Sequence, residues 1–285
     1  MKKIVFIIYR EWAYEIYKHI LFFQKNNGRF EVIALITIPN FEFKRESDEV
    51  QNFVVNSNDS EGILRILDEI KPDVIFYYGW SWLVKESIFF KYLCVCLHPS
   101  PLPKYRGGSP IQHQIIQGET ESAVSVFKMG GGLDDGDIYK QEPISLLGSL
   151  SEIFNSIIQV GAKITEDFIV DLINGSVKFY PQTNLLENPP LKRRKPEEGE
   201  IRLGEISKKS YIEINNLVRA LTDPYPNAYI QLPEGKLLIK KVKFCSHVPV
   251  DAFLRNGLRT SSASDGPRFL SLLDGYAEIT ESQLV

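Results

Sequence analysis

Ile4-Val5-Phe6-Ile7-Ile8 is short, continuously apolar and mostly β-branched, and it constrains the fold more than any other segment of the chain. A strand with one face in water alternates apolar and polar residues. A run with no polar position is covered on both faces, as in a parallel sheet layered between helices. The next segment supplies such a helix. From Glu11 to about Asn26, Ala13, Ile16, Tyr17, Ile20 and Leu21 recur at helical spacing until Asn27-Gly28 ends the run. The alternation continues with a strand at Phe30 to Ile38, a helix from about Glu61 to Ile70, a strand at Val74 to Tyr78, a short helix near Lys85 and a strand at Cys94 to Leu97. Strands and helices in alternation build a doubly wound, mostly parallel α/β sheet.

A long amphipathic helix, Ser151 to Ile173, closes this region, and then the composition changes. Pro181, Pro189, Pro190 and Pro196 surround Lys192-Arg193-Arg194-Lys195, the signature of a linker. The expected division is a first domain at 1–180, a linker at 181–200 and a small β-rich domain at 201–285. The last carries a helix at about Lys209 to Ala220 and strands at Ala228 to Leu232 and Lys236 to Phe244, joined by the turn Pro233-Glu234-Gly235. With 285 residues, 44% of them hydrophobic, the chain has enough apolar material for two unequal domains.

Several function classes lose support at once. The formal net charge of −3 gives no general attraction to nucleic acid or anionic membrane. The apolar run after Met1-Lys2-Lys3 is too short for a signal or membrane segment, and Cys94, Cys96 and Cys245 have neither zinc nor disulfide spacing, so a reduced, cytoplasmic protein is expected. No GxGxxG or P-loop follows the first strand, which argues against dinucleotide and NTP binding. Tyr9-Arg10-Glu11-Trp12 stands there instead, and Tyr9, Arg10 and Trp12 are candidates to line a pocket mouth.

The chemistry concentrates in Leu97-His98-Pro99-Ser100-Pro101-Leu102-Pro103-Lys104-Tyr105-Arg106-Gly107-Gly108-Ser109-Pro110 and in Leu133-Asp134-Asp135-Gly136-Asp137. His98 directly follows a strand of the sheet, at the end where ligands of such sheets bind. A buried histidine needs a partner that fixes its tautomer and stabilises its cation, and Asp134 on a glycine-rich loop can reach back to serve. Pro99, Pro101 and Pro103 stiffen the first loop, while Gly107-Gly108 allows close backbone approach. Taken alone, His98 has a packing role as its plain alternative; the combined motif favours function. The acidic loop lacks the remaining ligands of a calcium site, so no metal is expected.

HPSPLPKYRGGSPIQ at 98–112, GGLDDGD at 131–137, KRRKPEEGEI at 192–201 and DPYPNAY at 223–229 together resemble the formyltransferases that use N10-formyltetrahydrofolate, a family that includes methionyl-tRNA formyltransferase and nucleotide-sugar N-formyltransferases. The resemblance spans most of the chain. It implies a Rossmann-like catalytic domain, a small OB-like C-terminal domain and a homodimer. Carried over residue by residue, it assigns catalysis to His98 and Asp134. Cys96 occupies the family's asparagine position, and a thiol is at best a weak donor. If an oxyanion donor is displaced there, the Gln112 amide, a backbone N–H or ordered water must serve, with Gln112 preferred. Cys96 as a nucleophile is disfavoured, since no basic group adjoins it in sequence.

For the folate, the resemblance points to Gly79, Trp80, Ser81, Trp82, Leu83 and Val84 after the Val74 to Tyr78 strand, and to Gly131, Gly132, Leu133 and Asp137 around the acidic loop. The tryptophans have a core or interface role as their alternative. Candidate acceptor contacts are Tyr9, Arg10, Trp12, Lys104, Arg106, Tyr225 and Asn227. Lys192 to Lys195 reads either as a solvated linker or as a phosphate contact. The segment from Pro39 to Val50 is short, with Lys44-Arg45 balanced by Glu42, Glu46, Asp48 and Glu49, which offers little to tRNA. The expected acceptor is therefore a nucleotide-linked amino-dideoxy sugar, as used in surface glycans, with no nucleic-acid or membrane partner. Formylation of methionyl-tRNA, or binding of folate or nucleotide sugar without turnover, are the alternatives.

Overall fold

The computed structural model describes residues 1–42, 49–248, 253–255, 258–260 and 268–285, so Lys44, Arg45, Glu46 and Asp48 of the Pro39 to Val50 segment lie outside the described residues. The chain divides into two compact units. The first comprises Met1–Pro110, Glu121–Leu147 and Ser151–Leu191; the second comprises Ile111–Thr120, Gly148–Leu150 and Lys192–Val285.

The first unit opens with β1 (Lys2–Ile8), α1 (Glu11–Lys25), β2 (Phe30–Thr37), β3 (Gln51–Val54), α2 (Ser60–Ile70), β4 (Val74–Tyr78), α3 (Glu86–Phe89) and β5 (Cys94–His98). After α4 (Pro110–Ile116), which from Ile111 onward belongs to the second unit, come β6 (Glu121–Lys128), β7 (Ile138–Ser145) and α5 (Leu150–Asn174). The seven strands form one sheet in the order β3-β2-β1-β4-β5-β6-β7. The first five pair in parallel, while β6 runs antiparallel to both β5 and β7. This is the mostly parallel, doubly wound sheet expected from the Ile4–Ile8 run, whose five residues are fully buried.

Each face of the sheet has its own cover. On one, Phe6, Phe76 and Tyr78 pack ring against ring with Tyr17 of α1 and Phe168 of α5. On the other, Val5, Ile7, Ile75, Tyr77 and Cys94 pack with Ile63 and Leu67 of α2 and Ile88 and Phe89 of α3. Successive strand residues point to opposite faces, so β4 divides its aromatics between the two layers. Strand order reverses between β1 and β4, and crevices at such a reversal bind ligands beyond the carboxyl ends of the strands.

The segment expected to begin a linker is fastened to the first unit. Leu191 donates to Arg106 O and accepts from Gly108 N, while Gln182 Nε2 donates to Asp134 O and Gly136 O.

The second unit holds α6 (Tyr211–Ala220), β8 (Ala228–Leu232), β9 (Gly235–Cys245), β10 (Phe253–Arg255), β11 (Leu258–Thr260), β12 (Arg268–Ser271) and β13 (Tyr276–Leu284). These strands make a curled antiparallel sheet in the order β10-β11-β12-β13-β9-β8. Ile214 and Val218 of α6 share its core with Ile230, Leu237, Ile239 and Leu270. Ser210 starts α6 two residues later than the periodicity suggests, because its hydroxyl accepts from Glu213 N while the Glu213 carboxylate accepts from Ser210 N. No helix among the described residues is long and apolar enough to cross a membrane.

Candidate active site

Two loops, one following β5 and one joining β6 to β7 from the Cys94 end of β5, bring the distant histidine and aspartate together. His98 ends β5, with its side chain only 8% exposed, and its Nδ1 stands 3.4 Å from Asp134 Oδ2. The other ring nitrogen, Nε2, lies 2.8 Å from the main-chain oxygen of Tyr105. A carbonyl oxygen only accepts, so Nε2 carries the hydrogen and Nδ1 is the nitrogen free to gain or lose a proton. Protonation of Nδ1 turns its approach to Asp134 into a charge-assisted hydrogen bond. Asp134 Oδ2 also accepts from Gly107 N at 2.8 Å, which fixes the carboxylate between the two motifs.

The loop around His98 is braced by a serine and a glutamine from the neighbouring strands. Ser125 of β6, in register with His98, donates to Ser100 O at 2.5 Å; Gln141 of β7 donates to Ser125 Oγ and Leu102 O. Arg106, expected among the acceptor contacts, is buried and directs its guanidinium at the main-chain oxygens of Leu133, Leu185 and Asn188. Its donors thus bind the His98 and Asp134 loops to the 185–191 segment. Lys104 is exposed, and its carbonyl accepts from Ser100 Oγ.

The aspartate's loop depends on glycine for space. A Cβ on Gly136 would sit 1.8 Å from Lys128 O, and one on Gly130 would meet Asp135 Oδ1 at 2.6 Å. Asp135 accepts from Gly132 N, so this second acidic residue shapes the turn. Gly131, Gly132, Leu133 and Asp137 are exposed around it.

At the strand-order reversal the structure gathers the residues that follow β1 with those that follow β4. Tyr9 packs against Trp80 and Trp82 at ring separations of 6.1 and 4.6 Å, its hydroxyl hydrogen-bonds Ser81, and the Arg10 guanidinium lies 4.4 Å from its ring centre. Gly79 has φ +67°, and a Cβ there would meet Arg10 Cγ at 2.8 Å with Trp12 close behind. Leu83 is 86% exposed and Val84 half-buried, on main chain that belongs to no strand or helix. A partly exposed aromatic shelf beside free backbone suits a flat heterocycle.

Cys96 lies two residues before His98 on the same strand. Burial, with the Asp134 carboxylate nearby, holds its thiol well above the ordinary range. The residue itself is half-buried, and a thiol held protonated is a weak nucleophile.

Gln112, Tyr225 and Asn227 belong to the second unit. Gln112 is buried with its Nε2 lacking a hydrogen-bond partner; Asn227 is buried and donates to Asp223 Oδ1, and Tyr225 is half-buried in the same turn. Of Lys192 to Lys195, Arg194 is half-buried and donates to Glu198 O, while the others are exposed. Among the described residues, no group of histidine, cysteine and acidic side chains could hold a metal ion.

The family model described as "Formyl transferase" matches residues 19–163, and that of the formyl transferase C-terminal domain matches 194–283. The chain belongs to the formyl transferase family. Among its relatives, a methionyl-tRNA formyltransferase from Hydrogenobaculum sp. is 35% identical over 169 residues, 56% of this chain and 52% of that protein. The chain thus spans about half the length of that curated relative. A methionyl-tRNA formyltransferase structure from Clostridium thermocellum aligns with TM-score 0.64 and 26% identity, covering 86% of this chain and 94% of its own. An N-formyltransferase structure from Helicobacter canadensis, in complex with folinic acid and dTDP-3-aminofucose, aligns with TM-score 0.66 at 19% identity, covering 99% and 100%. That last likeness is one of fold.

The sequence missed the positioning groups: Ser125, Gln141 and Gln182 lie outside every motif, and Tyr105, though inside one, acts through its main-chain oxygen, which no side-chain pattern announces.

Proposed function

We propose that this formyl transferase moves a formyl group from N10-formyltetrahydrofolate to the amine of a nucleotide-linked amino-dideoxy sugar. The observation that carries the transfer is the His98 Nδ1 to Asp134 approach at 3.4 Å, with Nε2 tied to the Tyr105 carbonyl. The donor fits the aromatic shelf and free main chain of Gly79–Val84, and the bracket of Gly131, Gly132, Leu133 and Asp137. When bound, it supplies an activated formyl carbon. His98 Nδ1 takes the proton that the attacking amine loses as its nitrogen bonds the formyl carbon, Asp134 stabilises the resulting imidazolium, the carbon–N10 bond breaks with the proton passing to the departing folate nitrogen, and Arg106 holds both loops at their separation.

The net charge of −3 and the aromatic, weakly basic rim formed by Tyr9, Arg10 and Trp12 support a compact nucleotide sugar as acceptor. Identity to methionyl-tRNA formyltransferases at 35% and 26% favours a second reading, transfer to methionyl-tRNA. The test is to incubate the protein with N10-formyltetrahydrofolate and either dTDP-, UDP- and GDP-linked amino sugars or initiator methionyl-tRNA, following product mass. Formylation of an amino sugar is expected. Formylation of the tRNA alone rejects the sugar reading, and absence of any product rejects both.

A further inference from the structure

The Tyr77 hydroxyl is buried and has no hydrogen-bond partner among the described residues. An unpartnered phenol in a packed core gives up its hydration without compensation, and such a group calls for a functional account. Its surroundings supply one. The parallel register places Tyr77 of β4 directly opposite Cys96 of β5, so both side chains rise from the same face of the sheet. His98, two residues beyond Cys96, belongs to that face as well. The Trp80 ring, which follows β4, stands edge-on to the Tyr77 ring at 6.4 Å, and Cys96 and Met129, the latter leading into the glycine loop of Asp134, pack against the same buried cluster. The strand of His98, the segment after β4 and the approach to the Asp134 loop therefore all meet the cluster that holds this ring.

Formyl transfer needs a donor where negative charge collects on the formyl oxygen. A cysteine sulfhydryl at position 96 donates weakly. The phenol is a strong donor, and burial keeps it protonated by pushing its pKa well above the ordinary value. We propose that the Tyr77 hydroxyl donates a hydrogen bond to the formyl oxygen during transfer, supplying the stabilisation that Cys96 cannot. Tyr77 keeps its proton throughout; proton transfer stays with His98. This assignment rests on the formyl-transfer reading and deepens it.

The test is isotope-edited infrared spectroscopy of bound N10-formyltetrahydrofolate carrying a ¹³C-labelled formyl group, recorded without any acceptor, which needs no knowledge of the acceptor. A hydrogen bond lowers the carbonyl stretch, so Tyr77→Phe is expected to raise the band relative to the wild type. Removal of an unpartnered hydroxyl from an apolar cluster leaves folding intact, which circular dichroism checks. With an active acceptor, kcat is expected to fall on the order of 10²-fold at unchanged acceptor KM. A band that stays in place in Tyr77→Phe, or moves only in Gln112→Leu, overturns the proposal. Failure of the wild type to bind the labelled folate overturns this proposal and the donor assignment together, whereas failure to formylate any amino sugar overturns only the acceptor reading.

Discussion

His98 and Asp134 are separated by 35 intervening positions, yet each is held by contacts that leave little freedom. The ring is fixed at Nε2 by the Tyr105 carbonyl, and the carboxylate by Gly107 N. Asp134→Asn keeps the shape and removes the charge that stabilises the imidazolium. Its kcat is expected to fall on the order of 10²–10³-fold, about the loss seen when one transition-state donor is removed. Measuring kcat beside the melting temperature checks this, since a substitution that merely unfolds the loop would lower both. At this scale the sequence was informative about chemistry and silent about restraint. His98 and Asp134 stood out through their motifs. Arg106 looked equally suited to a ligand, but only the fold reveals that main-chain oxygens from two other segments surround its guanidinium. Tyr77 gave no signal either, because an aromatic within a buried strand reads as packing.

Individual elements show the same division. The Ile4–Ile8 run and the α1 periodicity identified their elements because full burial leaves an unbroken apolar record. The edge strands β3 and β7 escaped notice: β7 is buried at one position alone, carries Lys140 and Glu142, and contains Pro143, which a sheet tolerates at its margin. The glycine loop between β6 and β7 yields a sharp prediction. Gly136→Ala would force a Cβ to 1.8 Å from Lys128 O, and backbone cannot retreat cheaply. We expect a loss of roughly 1–3 kcal/mol in urea unfolding, together with reduced turnover as Asp134 shifts. Helix α6 offers a pH-dependent case. Hydrogen bonds from Ser210 N and the Lys209 ammonium hold the Glu213 carboxyl at about 2, below its ordinary value of 4.5. A carboxylate with a depressed folded pKa stabilises fully above its unfolded value, and that contribution disappears as pH falls toward 2. Unfolding of wild type and Glu213→Gln should therefore differ at pH 7 and converge near pH 2.

For the whole molecule, charge and topology bear on the acceptor. The sheet's reversal between β1 and β4 gathers aromatics from two distant segments, and the net charge of −3 supplies no field for a long polyanion. Acceptor KM should therefore change little between about 50 and 200 mM salt, whereas binding through many phosphate contacts would weaken by about 10³-fold or more over that range. Steady-state kinetics at the two salt concentrations separates the cases. Layer architecture was legible in advance because alternating buried runs specify it. The attachment of 182–191 to the first unit was not, since its proline-rich composition also describes an untethered connection.

The tether on the far side of the His98 imidazole has a kinetic consequence. A ring open at both nitrogens passes protons through, accepting at one edge and discharging at the other; here one edge is closed by Tyr105. In the proposed transfer, traffic therefore enters and leaves by a single port, and the ring is emptied on the side where it was filled before another turnover begins.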